Sequence, residues 1–363
     1  MKKSFGKLFV GAALAAGLSF GFAPSADAGL ISLQQEIEMG RETGQKYEAQ
    51  YGLLQDSYQQ ERVNRIGQRL AAVCGRNEIT YSFKVLNCGE INAFACPGGF
   101  IYVYSGLLDF MPTDTELAGV LGHEVGHVAK KHTVHQIEKA LGANILLAAI
   151  SLGTGSAAVG NLGGLAAQAL MSGFSRTDER GADKEGVNNT IKAGFNPYAM
   201  LITTSKLEDL AAKNGGGKGG IWSDHPDPDE RYKRVSQQLQ KLDIHPDIKV
   251  IDEDHAQVYE GDWTFNIDHS IGATKAKYRA FELAGGLYQV RQRGHINPNY
   301  FVVYDNGSFA DIYYDDIQVL RLYKQDAVGF GSAGSYARAC ADMLRDWGNK
   351  VNSGTLVAKK KKK

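Results

Sequence analysis

Residues His123-Glu124-Val125-Gly126-His127 read H-E-x-x-H, a spacing with a chemical meaning. Residues four apart on a helix lie one above the other, so both imidazoles can reach one zinc ion. Glu124 then stands where a general base is needed for metal-assisted hydrolysis. A catalytic zinc needs a third protein ligand and an open fourth position. A third histidine in H-E-x-x-H-x-x-G-x-x-H is ruled out, because Lys130 and Thr133 occupy the Gly and His positions. His132 and His135 therefore read as solvent-facing. The alternative is a glutamate from a later helix, and Ser175 to Asp183 offers Glu179. Glu179 and Asp183 are four apart, so Glu179 could ligate while Asp183 accepts a hydrogen bond from a liganding imidazole. Taken alone, that segment reads equally as a solvated charged helix face.

The H-E-x-x-H run needs a helix beneath it. Thr113 and Glu116 have capping-box spacing just before an apolar stretch, so a helix is expected to start near Thr113. Polar-faced helical patterning covers Leu33 to Cys74, and Thr80 to Leu86 and Phe100 to Tyr104 read as strands. Pro97-Gly98-Gly99 between them reads as a turn. Residues 140–173 are nearly free of charge and rich in Ala, Gly and Leu. They read either as a buried helix pair or as an apolar lid or membrane-facing loop beside the site. Helical patterning resumes at 175–213, and a glycine-rich loop follows at 214–220. The rest changes character, with Tyr-rich strand-like runs and a closing helical stretch from Tyr336 to Trp347, as in a separate α+β unit without helical-hairpin repeats.

Four pieces together carry a resemblance. They are Asn92-Ala93-Phe94-Ala95 with Pro97-Gly98-Gly99, His123 to His127, Ser175-Arg176 through Glu179 to Asp183, and Ser223-Asp224-His225-Pro226 with Arg231. In that order the chain resembles the gluzincin zinc metallopeptidases that include the heat-shock membrane protease HtpX, the CAAX prenyl endopeptidase and periplasmic β-barrel-assembly-enhancing proteases. The resemblance covers roughly residues 33–245. It implies one zinc per chain held by His123, His127 and Glu179, with Glu124 as base. It also implies an edge strand at Asn92, Ala93, Phe94 and Ala95 that lines the cleft and binds substrate backbone by strand addition. In that context His225 either stabilises the oxyanion or caps the metal's open position. The fold expected is α+β: a mainly helical zincin peptidase domain with a small sheet, at 29–246, and a smaller C-terminal α+β domain at 250–350. The several spanning helices of the membrane branch and the helical repeats of the assembly-enhancing branch are not seen.

Composition agrees with a globular chain: 363 residues, 43% hydrophobic, 22% charged and no net charge. No basic excess points to nucleic acid as a partner. Lys2, Lys3 and Lys7, the apolar run Leu8 to Phe22 and Ala26-Asp27-Ala28 read as an export signal at 1–28 that is removed. Export puts the chain in the periplasm, or secreted or at the envelope as alternatives. The expected substrates are then unfolded or misassembled exported proteins, cut in envelope quality control. A chaperone-like assembly factor that binds such clients with little cleavage is the rival reading. The tail at 351–363 ends in Lys359 to Lys363 and reads as solvated, with peripheral attraction to an anionic membrane as the alternative. Among four cysteines, Cys74 and Cys88 are the first candidate pair, against four free thiols including Cys340. Cys96, inside the cleft motif, reads as a packed thiol rather than a redox-sensitive one.

Overall fold

The computed structural model describes residues 30–152, 162–213, 228–272 and 274–356. The export signal, His225 with its Ser223-Asp224 neighbours, the 214–220 loop and the lysine tail lie outside these residues, as does the middle of the 140–173 stretch. Helices predominate over small sheets, giving an α+β fold. None of the helices among the described residues is long and apolar enough to cross a membrane.

The N-terminal part is built around one central helix. Helices α1 (Leu33–Tyr51) and α2 (Ser57–Ala71) begin at the caps Ser32 and Asp56. Strands β1 (Ser82–Leu86), β2 (Ala93–Cys96) and β3 (Phe100–Tyr104) form a sheet in the order β1-β3-β2. β1 runs parallel to β3, and β2 runs antiparallel with Phe94 opposite Tyr102. The tight link between β2 and β3 passes through Gly98, whose φ of 70° favours glycine. After α3 (Ser105–Phe110), helix α4 (Asp114–Ala129) starts on the Thr113–Glu116 capping box anticipated from spacing. Its apolar side, including Leu117, Leu121 and Val125, joins Val63 and Ile66 of α2 and Val103 of β3 in one core.

Helices α5 (His132–Leu152) and α6 (Leu162–Met171) lead to α7 (Arg176–Lys192), which opens on a Ser175–Asp178 capping box. Helices α8 (Ala199–Lys213) and α9 (Pro228–Leu239) complete this part. The approach of α4 to α7 depends on missing side chains. A Cβ on Gly126 would lie 2.8 Å from the Ala182 carbonyl oxygen, and one on Gly186 2.7 Å from Met200 Sδ and 3.2 Å from the His123 nitrogen.

The C-terminal part holds a repeat of strand meanders, each followed by a helix, rather than of helical hairpins. Strands β4 (Asp247–Val250), β5 (Ala256–Glu260) and β6 (Trp263–Ile267) form an antiparallel meander followed by α10 (Ala276–Gln292). Strands β7 (Phe301–Asp305), β8 (Phe309–Tyr314) and β9 (Ile317–Tyr323) form a second, followed by α11 (Ala333–Ser353). Equivalent positions align: Ala256 with Ala310, Val258 with Ile312, Tyr259 with Tyr313, Asp262 with Asp316. Each second hairpin turns at a residue of positive φ, Gly261 at 60° and Asp315 at 54°. Both units share one core, in which Phe265, Leu287, Val319 and Trp347 meet. A third cluster joins Met200 and Val235 to Tyr278 and Phe281, so the C-terminal part packs directly on α8 and α9. All four cysteines are free, and the Cys74–Cys88 pair does not form. Burial pushes the Cys96 thiol up, keeping it protonated and packed.

Candidate active site

Helices α4 and α7 bring the expected residues together. His123 Nε2 and His127 Nε2 lie 3.0 Å apart. Glu179 Oε1 is 3.3 Å from His127 Nε2, and Glu179 Oε2 is 3.5 Å from His123 Nε2. A tetrahedral zinc with bonds of about 2.0–2.2 Å would place its ligand atoms ~3.3–3.6 Å apart. The two Glu179 distances match such edges and the His123–His127 distance is a few tenths of an ångström shorter, and the three side chains are a candidate cluster for a metal ion.

Around the cluster sits a buried polar frame. His123 Nδ1 donates to Asp183 Oδ1 at 2.9 Å, which turns Nε2 toward the cluster. Arg231 Nη2 and Nε donate to the two Asp183 oxygens at 2.7 and 3.0 Å, and Arg231 Nη1 lies 3.2 Å from Glu179 Oε2. Burial opposes a charge on Asp183, but Arg231 and His123 outweigh it and hold the carboxyl at about 2. Burial and the nearby Arg231 push His123 down, so its ring stays neutral, as a ligand must be. Arg231 was part of a motif in the sequence, but its role in orienting both carboxylates was not readable there.

One expectation is overturned. His132 is buried, not solvent-facing, and its Nδ1 lies 3.0 Å from His127 Nδ1. With His127 using Nε2 toward the cluster, its Nδ1–H donates to His132. Burial pushes His132 down to about 4, which keeps it neutral and able to accept. His135 is exposed, as expected.

The centre is closed. His123, Glu124, His127 and Glu179 are each at most 4% exposed. Phe174, just before α7, stacks on His127 with ring centroids 3.8 Å apart. Phe174 also packs with Leu170 of α6 and with Phe94 and Cys96 of β2. β2 is an edge by pairing, but Asn92, Ala93, Phe94 and Ala95 are all buried, and α1, α4 and α6 lie against the strand. A recess lined by Ala95, Cys96, Pro97, His127, Thr133 and Val134 runs between β2 and the end of α4.

Two histidines on a helix, a glutamate from a following helix and the second carboxylate beside it define a metallopeptidase of the gluzincin kind. The sequence model of Peptidase family M48 matches residues 57–239, and the chain belongs to that family. It is similar to a beta-barrel assembly-enhancing protease of Yersinia pestis, 30% identical over 60% of this chain and 46% of that one. It is similar to the metalloprotease LoiP of Escherichia coli, 35% identical over 44% of this chain and 62% of that one. It is also similar to the mitochondrial metalloendopeptidase OMA1 of Schizosaccharomyces pombe, 29% identical over 59% and 64% of the two. The chain spans about half the length of the beta-barrel assembly-enhancing proteases it matches.

Proposed function

We propose that this chain is a zinc-dependent metalloendopeptidase, with one zinc held by His123, His127 and Glu179, that cuts unfolded or misassembled exported proteins in the periplasm. The observation that carries the reading is the convergence of those three side chains within reach of one metal ion. His123, His127 and Glu179 would hold zinc there, which would supply a Lewis acid and lower the pKa of water toward neutral. Glu124, on the turn between the two histidines, is the base that takes that proton and returns it to the leaving amine. Asp183 holds the His123 ring, His132 holds the His127 ring, and Arg231 fixes both carboxylates. Once the cover over β2 is displaced, a substrate segment in extended form pairs with that strand at Asn92 to Ala95. His225 then acts at the oxyanion or as a plug over the metal.

The sheathed strand and the Phe174 stack support gating, in which clients must displace α6 and Phe174 before cleavage. The names of the assembly-enhancing relatives and the N-terminal export pattern support an envelope role. The same closure also favours the rival reading, a factor that binds clients and rarely cuts. Turnover of an unfolded protein such as casein by wild type and Glu124→Gln separates the two. Gln is nearly isosteric but cannot take the proton, so the variant should retain zinc and lose most activity. Equal turnover would remove Glu124 as base, and no turnover by either form would favour the binding factor.

A further inference from the structure

The C-terminal part lies beyond the matched family region, yet one of its side chains reaches the start of the metal-ligand helix. We propose that Glu282 of α10 is a positioning residue for the metal centre, acting through the N-cap of α4; this rests on the peptidase reading above. The Thr113 hydroxyl donates to Glu282 Oε1 at 2.5 Å. The same hydroxyl accepts from the Glu116 backbone N–H, and Glu116 Oε2 accepts from the Thr113 N–H at 3.0 Å. Glu116 Oε1 in turn accepts from Lys206 Nζ at 2.7 Å, and that ammonium also donates to the Phe110 carbonyl and Thr274 Oγ1. The Glu282 backbone carbonyl accepts from Asn196 Nδ2 at 2.8 Å, which fixes α10 against the loop before α8. Glu116, Glu282, Lys206 and Thr113 are all buried.

A capping box is complete with Thr and Glu alone, its remaining hydrogen-bonding capacity usually going to water. Here a carboxylate from another part of the fold takes that place. Adhesion alone would be served by apolar side chains, since buried charges are costly unless well paired. What the charged network adds is direction, because a hydrogen bond at this length fixes where the first turn of α4 sits. Both carboxylates also face the positive end of the α4 dipole.

The geometry carries that placement to the metal centre. Thr113 and His123 are ten residues apart, roughly 15 Å of helix. On either side of His123, α4 is seated on α7 through glycines, Gly122 facing Gly186 and Gly126 facing the Ala182 backbone. Backbone against backbone leaves little slack there to absorb a shift. Sliding or rotation of α4 therefore changes the separation of the His123–His127 pair from Glu179. The C-terminal part sets the register of the site without touching substrate.

The test uses the full-length zinc-loaded enzyme, with zinc release to a chelator, kcat and KM on an unfolded protein, and backbone hydrogen exchange in the first turn of α4. Glu282→Ala should release zinc about tenfold faster and lower kcat about tenfold with KM little changed, the scale of losing an orienting partner. It should also speed exchange at Asp114 to Leu117. Glu282→Gln keeps an acceptor and should restore all three. If Glu282→Ala does not fold, Glu282→Asp, which shortens the reach to Thr113, should show the same losses in weaker form. Wild-type zinc release and kcat in Glu282→Ala, even with a lower melting temperature, would reduce the contact to adhesion and overturn the proposal. Failure of Glu282→Gln to rescue would overturn it too. Zinc release reads the coupling even if the Glu124→Gln comparison sinks the peptidase reading, so the two failures are distinguishable.

Discussion

At the scale of single residues, the two imidazoles of the candidate metal cluster are oriented in different ways. His123 leans on a carboxylate that is itself gripped by Arg231, whereas His127 leans on another imidazole, His132. A neutral acceptor raises ligand basicity less than a carboxylate does, but it still fixes the ring and the tautomer. His132→Ala should therefore weaken zinc binding by about 10–100-fold. His135→Ala, three residues further on and exposed, should change nothing; competition with a chelator reads both. Equal effects, or none at His132, would return His132 to the role of a packed core histidine. The sequence could not reveal this contact. In a continuous helix, residue 132 would be turned about 140° from residue 127. The chain instead breaks at Lys131, whose φ of 56° is left-handed, and α5 restarts so that His132 faces back toward α4. No turn residue such as Gly or Asn marks that position.

At the scale of elements, the site is a product of how closely α4 and α7 can approach. Gly126→Ala puts a methyl 2.8 Å from a backbone carbonyl that cannot swing aside. The helices must part, at about 1–3 kcal/mol for an overpacked contact. The variant should show a lower denaturant midpoint together with reduced zinc content, because parting the helices also withdraws Glu179. A loss of stability with full zinc content would mean that the seam does not set the ligand spacing. The start of α4 was readable because a capping box is local chemistry, Thr113 with Glu116, whereas the start of α7 was marked only by resumed helical patterning and its Ser175–Asp178 box went unread. The strands at 82–86 and 100–104 were readable from alternation and β-branched content. The duplicated meander was not, because its two copies share a pattern of inward positions and a turn conformation but few identical residues. The covering of β2 was hidden for a different reason: a run of Ala, Gly and Leu has no periodicity to say which face meets which neighbour.

At the scale of the whole molecule, the buried carboxylate between the two parts makes stability depend on pH. Burial, and then Glu116, push Glu282 up to about 7, against the pull of Thr113, Lys206 and Arg279. Because its folded-state affinity for the proton exceeds the unfolded one, its favourable contribution is present below the ordinary carboxylate range. That contribution is lost as pH rises through about 7. Glu282→Gln has no charge to bury, so its stability relative to wild type should climb between about pH 5 and 8, by roughly 1–3 kcal/mol. Chemical denaturation at several pH values checks this, and a constant difference would place the titration elsewhere.

The covering of β2 by α6 bears on more than access to the metal. An uncovered edge strand is a template for any chain with unpaired backbone, including another copy of this protein. On the proposed gating, the cover that restrains cleavage also guards against self-association, and opening for work makes the edge sticky for that interval. Phe174→Ala, which removes the ring stacked on His127 and packed on Phe94, should raise turnover of unfolded protein. It should also bring concentration-dependent dimerisation, visible in sedimentation and suppressed by an excess of extended peptide. Faster turnover with a strictly monomeric protein would mean that the edge stays sheathed while the centre opens. Activation and colloidal risk would then be separable, and the catalytic centre could be unlocked without exposing the strand.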